Sequence, residues 1–182
     1  MKGRPEGSIV RNRLVQMLQV LGTSYGYELY NHYREVFGNV HIRTIYYNLK
    51  KGIEKEEIIV VDVAREIGDY SWGDEVQKVY YTAGPFAKTA APAKDLEKLK
   101  ILKKKARKVE VDWAKEIKIL ADKLRKDIID YKERFNVLSS QGRKILKQRI
   151  AEKHRKIKEF SNGRITGDEL SRIIEGINPD TL

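Results

Sequence analysis

The sequence predicts a mainly α chain with one small β-hairpin, ordered as three short helices, the hairpin, then long helices. Three observations carry that expectation. Apolar residues recur at helical spacing in three segments before residue 56. Two Val/Ile/Tyr-rich runs follow, at residues 57–64 and 76–82. Residues 93–141 then contain neither proline nor glycine.

In the first predicted helix, residues 8–21, Ile9, Val10, Leu14, Met17, Leu18 and Leu21 form the apolar side, Ser8 is the cap and Gly22 the stop. The second, residues 24–36, is expected to bury Tyr27, Leu29, Tyr30 and Tyr33 and to end at Phe37-Gly38. The third spans residues 41–55 with a buried stripe of Ile42, Ile45, Tyr46, Leu49 and Ile53. Gly52 marks a place where it would fray, since glycine costs about 1 kcal/mol against alanine there. In the second β-run Val79 and Tyr81 share one face, Lys78 and Tyr80 the other. Residues 65–75, with Gly68 and Gly73, form a long hairpin tip, and residues 85–92 a linker.

The segment after the linker carries a narrow seam, Val109, Trp113, Ile117, Leu120, Leu124, Ile128, Tyr131, Phe135 and Leu138, spaced by threes and fours. One unbroken helix over this stretch would be roughly 70 Å long. It needs a second chain or its own fold-back to cover the seam. The seam from Trp113 to Phe135 is the expected dimer interface. Residues 143–160 form a further basic helix, and Thr166-Gly-Asp-Glu169 is a capping box opening a last short one. The expected domains are therefore residues 1–84, a linker 85–92, and a helical region 93–182.

Composition narrows the function. The chain has no cysteine, which excludes disulfides, thiolate nucleophiles and cysteine metal sites. No apolar run reaches the roughly 18 residues of a membrane span, and residues 1–8 lack a secretory apolar segment, so a soluble cytoplasmic protein is expected. Charged residues are 35% of the chain, a balance that resembles thermophile composition. No Gly-rich phosphate loop, His-Glu-x-x-His or acidic cluster stands out, so neither enzyme, cofactor nor metal is expected. The net charge of +11 points to a polyanionic partner. Its placement is uneven: residues 1–92 hold 12 Lys+Arg against 11 Asp+Glu, whereas residues 93–182 hold 25 against 15.

Three helices followed by a β-hairpin is the element order of a winged helix-turn-helix, whose third helix enters the DNA major groove. Removing the expected buried stripe leaves His41, Arg43, Thr44, Tyr47, Asn48, Lys50 and Lys51 as candidate DNA contacts, with no carboxylate between residues 41 and 51. Arg43 and Asn48 suit base edges, Tyr47 a thymine methyl, and Thr44, Lys50 and Lys51 phosphates. The alternative is the solvated face of an amphipathic helix. The hairpin tip sets Arg65 against Glu66, Asp69, Asp74 and Glu75, a poor phosphate ligand.

The strings Ser24-Tyr-Gly-Tyr-Glu-Leu-Tyr30, Arg43-Thr-Ile-Tyr-Tyr-Asn-Leu-Lys-Lys51, Glu57-Ile-Ile-Val and Lys78-Val-Tyr-Tyr-Thr82 resemble the PadR-type transcriptional regulators. The resemblance covers about residues 9–83. It implies a dimeric repressor of a palindromic promoter site, with Thr44 and Tyr46 orienting the recognition helix, Arg43 and Tyr47 meeting DNA, and the C-terminal helices making the homodimer. Trp113 is either a core tryptophan or part of an effector site for a flat apolar ligand, as the resemblance implies; the effector itself is unknown.

Two basic runs stand apart from that reading. Residues 98–108 hold seven bases and no acid, and residues 143–158 hold eight bases and one acid, Glu152. Lys147, Arg149, Lys153 and Arg155 are candidate phosphate contacts there; the alternative is solvated or ion-paired helix faces. Lys2-Gly-Arg-Pro5 resembles the minor-groove core of AT-hook peptides. The leading expectation is a sequence-specific dimeric transcription regulator. Beside it stand a sequence-tolerant chromosomal or replicative nucleic-acid binder and a winged-helix protein-interaction module.

Overall fold

In the computed structural model, which describes residues 8–70, 73–87, 93–100, 102 and 111–179, the chain divides into two compact units, Met1–Val111 and Asp112–Leu182.

The first unit begins with α1 (Ile9–Leu21), capped by the Ser8 hydroxyl, which accepts from the Arg11 N–H at 3.4 Å. Leu14, Val15, Met17, Leu18 and Leu21 point into the core. The Arg11 guanidinium donates to Glu57 at 2.5 Å in a buried ion pair that ties α1 to the start of the sheet. A short strand β1 (Thr23–Tyr25) leads into α2 (Gly26–Phe37) and then α3 (Ile42–Glu54). Leu29, Tyr33 and Val36 from α2 and Ile45 and Leu49 from α3 complete the helical core. The hairpin follows as β2 (Ile58–Tyr70) and β3 (Gly73–Ala83), giving a three-stranded antiparallel sheet in the order β1-β3-β2. Three helices and this sheet make a winged helix.

Several expectations change here. β1 is a strand of three residues, two of which, Ser24 and Tyr25, the sequence reading assigned to the second helix; it is held by pairing Thr23 with Thr82, Ser24 with Tyr81 and Tyr25 with Tyr80. The hairpin tip expected at residues 65–75 is mostly strand. Arg65 pairs with Gln77, Glu66 with Val76 and Ile67 with Glu75, and the register shifts between Ile67 and Tyr70. At about 3.3 Å per residue a strand of that length makes a wing of roughly 40 Å. Helix α3 does not fray at Gly52 but continues to Glu54. Gly52 is where β2 crosses the helix: a Cβ there would lie 2.6 Å from the Ile58 Cδ1, so a side chain would push the strand away.

Helix α4 (Ala93–Leu99) belongs to this first unit, where the sequence reading grouped it with the C-terminal helices. Leu99 and Leu102 are buried in the winged-helix core, and Asp95 accepts from the Arg13 guanidinium at 3.2 Å. Arg13 also lies over the Phe37 ring at 4.3 Å.

The second unit holds α5 (Trp113–Arg134), α6 (Ser140–Ser161) and α7 (Gly167–Ile173). Asp112 caps α5 by accepting from the Lys115 N–H at 3.0 Å, so the helix starts afresh there and is not continuous from Ala93. Ser139 caps α6 and Thr166 caps α7, the latter as the capping motif predicts. α5 and α6 run antiparallel: Trp113 meets Phe160 edge-on at 5.9 Å at one end, and Arg143 lies 4.5 Å over Phe135 at the other. Arg125 closes α7 onto α5 by donating to the Ile173 carbonyl at 2.5 Å.

This packing corrects the dimer seam. Ile117, Leu120, Leu124 and Tyr131 are buried by the chain's own helices, the fold-back that the sequence left open as the other solution. Trp113 and Ile128 are half-buried, and Phe135 is 41% exposed. Ile150, Ile157 and Phe160 of α6 supply the opposing apolar side.

Candidate nucleic-acid interface

Helix α3 starts at His41, whose ring Nδ1 accepts from the Arg43 N–H at 3.2 Å. The imidazole therefore closes an otherwise unpaired helix-terminal donor. Ile45 and Leu49 anchor the opposite side in the core. Outward stand Arg43, Tyr47 and Lys50, spaced by four and three and so aligned on one face. Tyr47 is 61% exposed, and no carboxylate interrupts this stripe before Glu54.

The other expected contacts are placed differently. Asn48 is buried, because it falls three residues after Ile45 on the inner side; its amide donates to the Thr44 carbonyl at 2.8 Å, and its Oδ1 is buried without a hydrogen-bond partner. Its side chain therefore lies off the exposed face of the helix, unlike the expected base contact. Thr44 is half-buried, its carbonyl taken by Asn48. The Lys51 ammonium sits 2.7 Å from Glu54; that contact raises the lysine pKa and lowers that of the carboxyl. Tyr46 and Tyr27, expected in the core, are exposed by 44% and 52%. The Tyr46 ring lies across the first residue of α2, where a Cβ on Gly26 would come within 2.6 Å of it. Burial raises the Tyr46 pKa, with Tyr25 and Tyr27 adding to the shift.

On the wing, the Lys78 ammonium contacts Glu66, Tyr80 donates to the same carboxylate at 3.1 Å, and Arg65 approaches Glu75 at 3.8 Å. Its bases are thus matched by its own acids. Ile67 on β2 is 87% exposed.

In the second unit, several α6 cations are ion-paired. Lys153 donates to Asp127 at 2.8 Å with only 12% of its side chain exposed, and Arg155 donates to Glu159 at 2.6 Å. These two are therefore ion-paired, the alternative that the sequence left open. Arg149 borders a shallow hollow with Asp127 and Asp130, while Lys147 is exposed. Most of the other basic run, with Lys2-Gly-Arg-Pro5, lies outside the described residues; of that run, Lys100 pairs with Glu97 at 2.6 Å. Among the described residues there is no group of His, Cys, Asp or Glu able to hold a metal ion, and no helix is long and apolar enough to cross a membrane.

No family model matches the chain, and no curated protein matches it. Among solved structures, the chain is similar to Bacillus subtilis PadR in complex with operator DNA, at 12% identity and a TM-score of 0.34, over 91% of this chain and 99% of that one.

Proposed function

We propose that this chain is a sequence-specific DNA-binding transcription regulator, a dimeric repressor of cytoplasmic location rather than an enzyme, whose α3 enters the major groove. The observation that carries this is the exposed Arg43–Tyr47–Lys50 stripe on a helix anchored by Ile45 and Leu49. Arg43 has the fork geometry for a guanine edge, Tyr47 a flat apolar surface for a thymine methyl, and Lys50 a point charge for phosphate. His41 contributes by holding the helix start that is aimed at the groove. The homodimer buries apolar residues that the second unit leaves exposed, among them Ile129 at 54% and Ile145 at 55%. Selection of bound sites from a random duplex pool tests the proposal: a recovered half-site bound at least about 10³-fold tighter than random duplex supports it, and no enrichment overturns it.

A second reading, a sequence-tolerant nucleic-acid binder, rests on one feature of α6. Lys144, Lys147, Arg155 and Lys158 are exposed within one side of that helix. It predicts a steep salt dependence without site preference.

A further inference from the structure

Two hydrogen bonds from one residue fix the start of α3. The His41 Nδ1 accepts from the Arg43 N–H at 3.2 Å, and the His41 carbonyl accepts from the Thr44 N–H at 2.9 Å. Those two N–H groups belong to the peptide units on either side of the Arg43 Cα, so His41 sets the direction in which the Arg43 side chain leaves the helix. The guanidinium itself is exposed and has no ion-pair partner among the described residues. We propose that His41 is the positioning residue for Arg43, and that the cap must be a neutral group because it stands beside a polyanion.

This role rests on the reading of α3 given above. A long arginine side chain magnifies a small tilt of its Cα–Cβ bond, whereas a bidentate contact tolerates misplacement of only about 0.5 Å. Loss of the ring acceptor frees one of the two flanking peptides, and the guanidinium then sweeps several base edges. The usual helix caps are Ser, Thr, Asn and Asp. Asp would suit the helix dipole, but its charge would face the phosphates. A ring that accepts at Nδ1 is neutral and carries its hydrogen on Nε2. It therefore caps the helix within a stretch, residues 41–51, that contains no carboxylate.

The full chain and its variants, titrated with a selected and a scrambled duplex, test this role, with circular dichroism showing that each variant is folded. His41→Ala should lower the preference for the selected duplex about fivefold or more. In an Arg43→Ala background the same change should alter the remaining preference by less than about twofold. An equal loss in both backgrounds overturns the role, since a cap that only stabilises the helix acts without Arg43. His41→Asn, whose Oδ1 branches from Cγ as the ring Nδ1 does, should keep the preference within about twofold of wild type; a loss as large as that of His41→Ala overturns the acceptor as its cause. His41→Asp should preserve the preference yet weaken both duplexes alike, about threefold or more; unaltered affinity overturns the need for a neutral cap. Nitrogen NMR of the free protein decides the cap without DNA: the ring hydrogen should sit on Nε2, and a hydrogen on Nδ1 alone overturns the positioning role whatever the duplexes show. A wild type that prefers no duplex, with the ring hydrogen on Nε2, places the failure in the reading of α3, and the role falls with it.

Discussion

Helices α3 and α6 both carry a surplus of positive charge, yet the two use it in opposite ways. On α6 the charge is dense and in part answered by acids: Lys153 lies on Asp127, and Arg155 and Lys156 share Glu159. On α3 the charge is sparse, but Arg43 and Lys50 flank an exposed tyrosine, and Glu54, one turn beyond Lys50, is the first acid. Net charge thus marks the C-terminal half, whereas an acid-free exposed face marks the half that we propose reads DNA. Exposed ion pairs contribute little individually, about 0–1 kcal/mol. What makes α6 structural is its apolar side against Ile117, Leu120 and Leu124, with the ion pairs closing the rim.

The largest effect should come from breaking that apolar side. Leu124→Asp places an unpaired carboxylate in a fully buried site, which should cost about 4 kcal/mol or more and lower the melting midpoint by roughly 10 °C or more. Loss of helical circular dichroism on mild heating is the expected reading. A well-folded monomer replacing a dimer would instead put the seam at an intermolecular interface.

Salt dependence sharpens the contrast. Lys50→Gln should flatten the log–log slope of duplex binding by about 0.9, one phosphate contact. Lys153→Gln with Arg155→Gln should leave the slope where it was, since both cations already face carboxylates. A slope that falls by about 2 in the α6 double variant would move the DNA surface to the second unit.

Asn48 divides core from reader within α3 itself. Asn48→Leu removes a buried oxygen without a partner, so chemical denaturation should show stability up by about 1 kcal/mol, with the preference among duplexes intact. A loss of preference in a folded Asn48→Leu protein would return Asn48 to the DNA.

The smallest effect concerns Glu116, buried in the first turn of α5. Desolvation raises its pKa, Asp112 adds to the shift, and Lys115 and Lys123 oppose it. The folded state therefore holds this proton more tightly than the unfolded chain. Its contribution is intact below the unfolded carboxylate pKa and is lost as pH rises through the raised folded value. Glu116→Gln should remove that decline, giving a slightly higher melting midpoint at pH 7 and little change at pH 4. An equal shift at both pH values would locate the effect in packing.

The first three helices were legible because their caps and apolar spacing agree: Ser8, His41 and Gly22 sit where the periodicity begins or stops. β1 was not, since three residues carry no period and only pairing with β3 makes them a strand. Tyr46 and Asn48 exchanged places for a related reason. An aromatic ring and a polar amide were sorted by hydropathy, but Tyr46 spreads its ring over Gly26 at the surface while Asn48 follows Ile45 inward. The long seam was legible as a seam. Which surface covers it was not, because spacing within one helix is the same whether the opposing residues lie later in the chain or in another copy. Asp112 was a readable cap that the absence of proline and glycine overshadowed.

The central claim is that the exposed face of α3 reads base sequence. Fluorescence-anisotropy titration of a selected duplex and a scrambled one, at one salt concentration, tests it directly with the wild type and the Arg43→Ala, Tyr47→Ala double variant. Arg43→Ala alone should cost about 1–3 kcal/mol on the selected site and relax one or two base pairs. The double variant should bind both duplexes with nearly the affinity that the wild type shows for the scrambled one. Undiminished preference for the selected duplex in a folded double variant would contradict the claim.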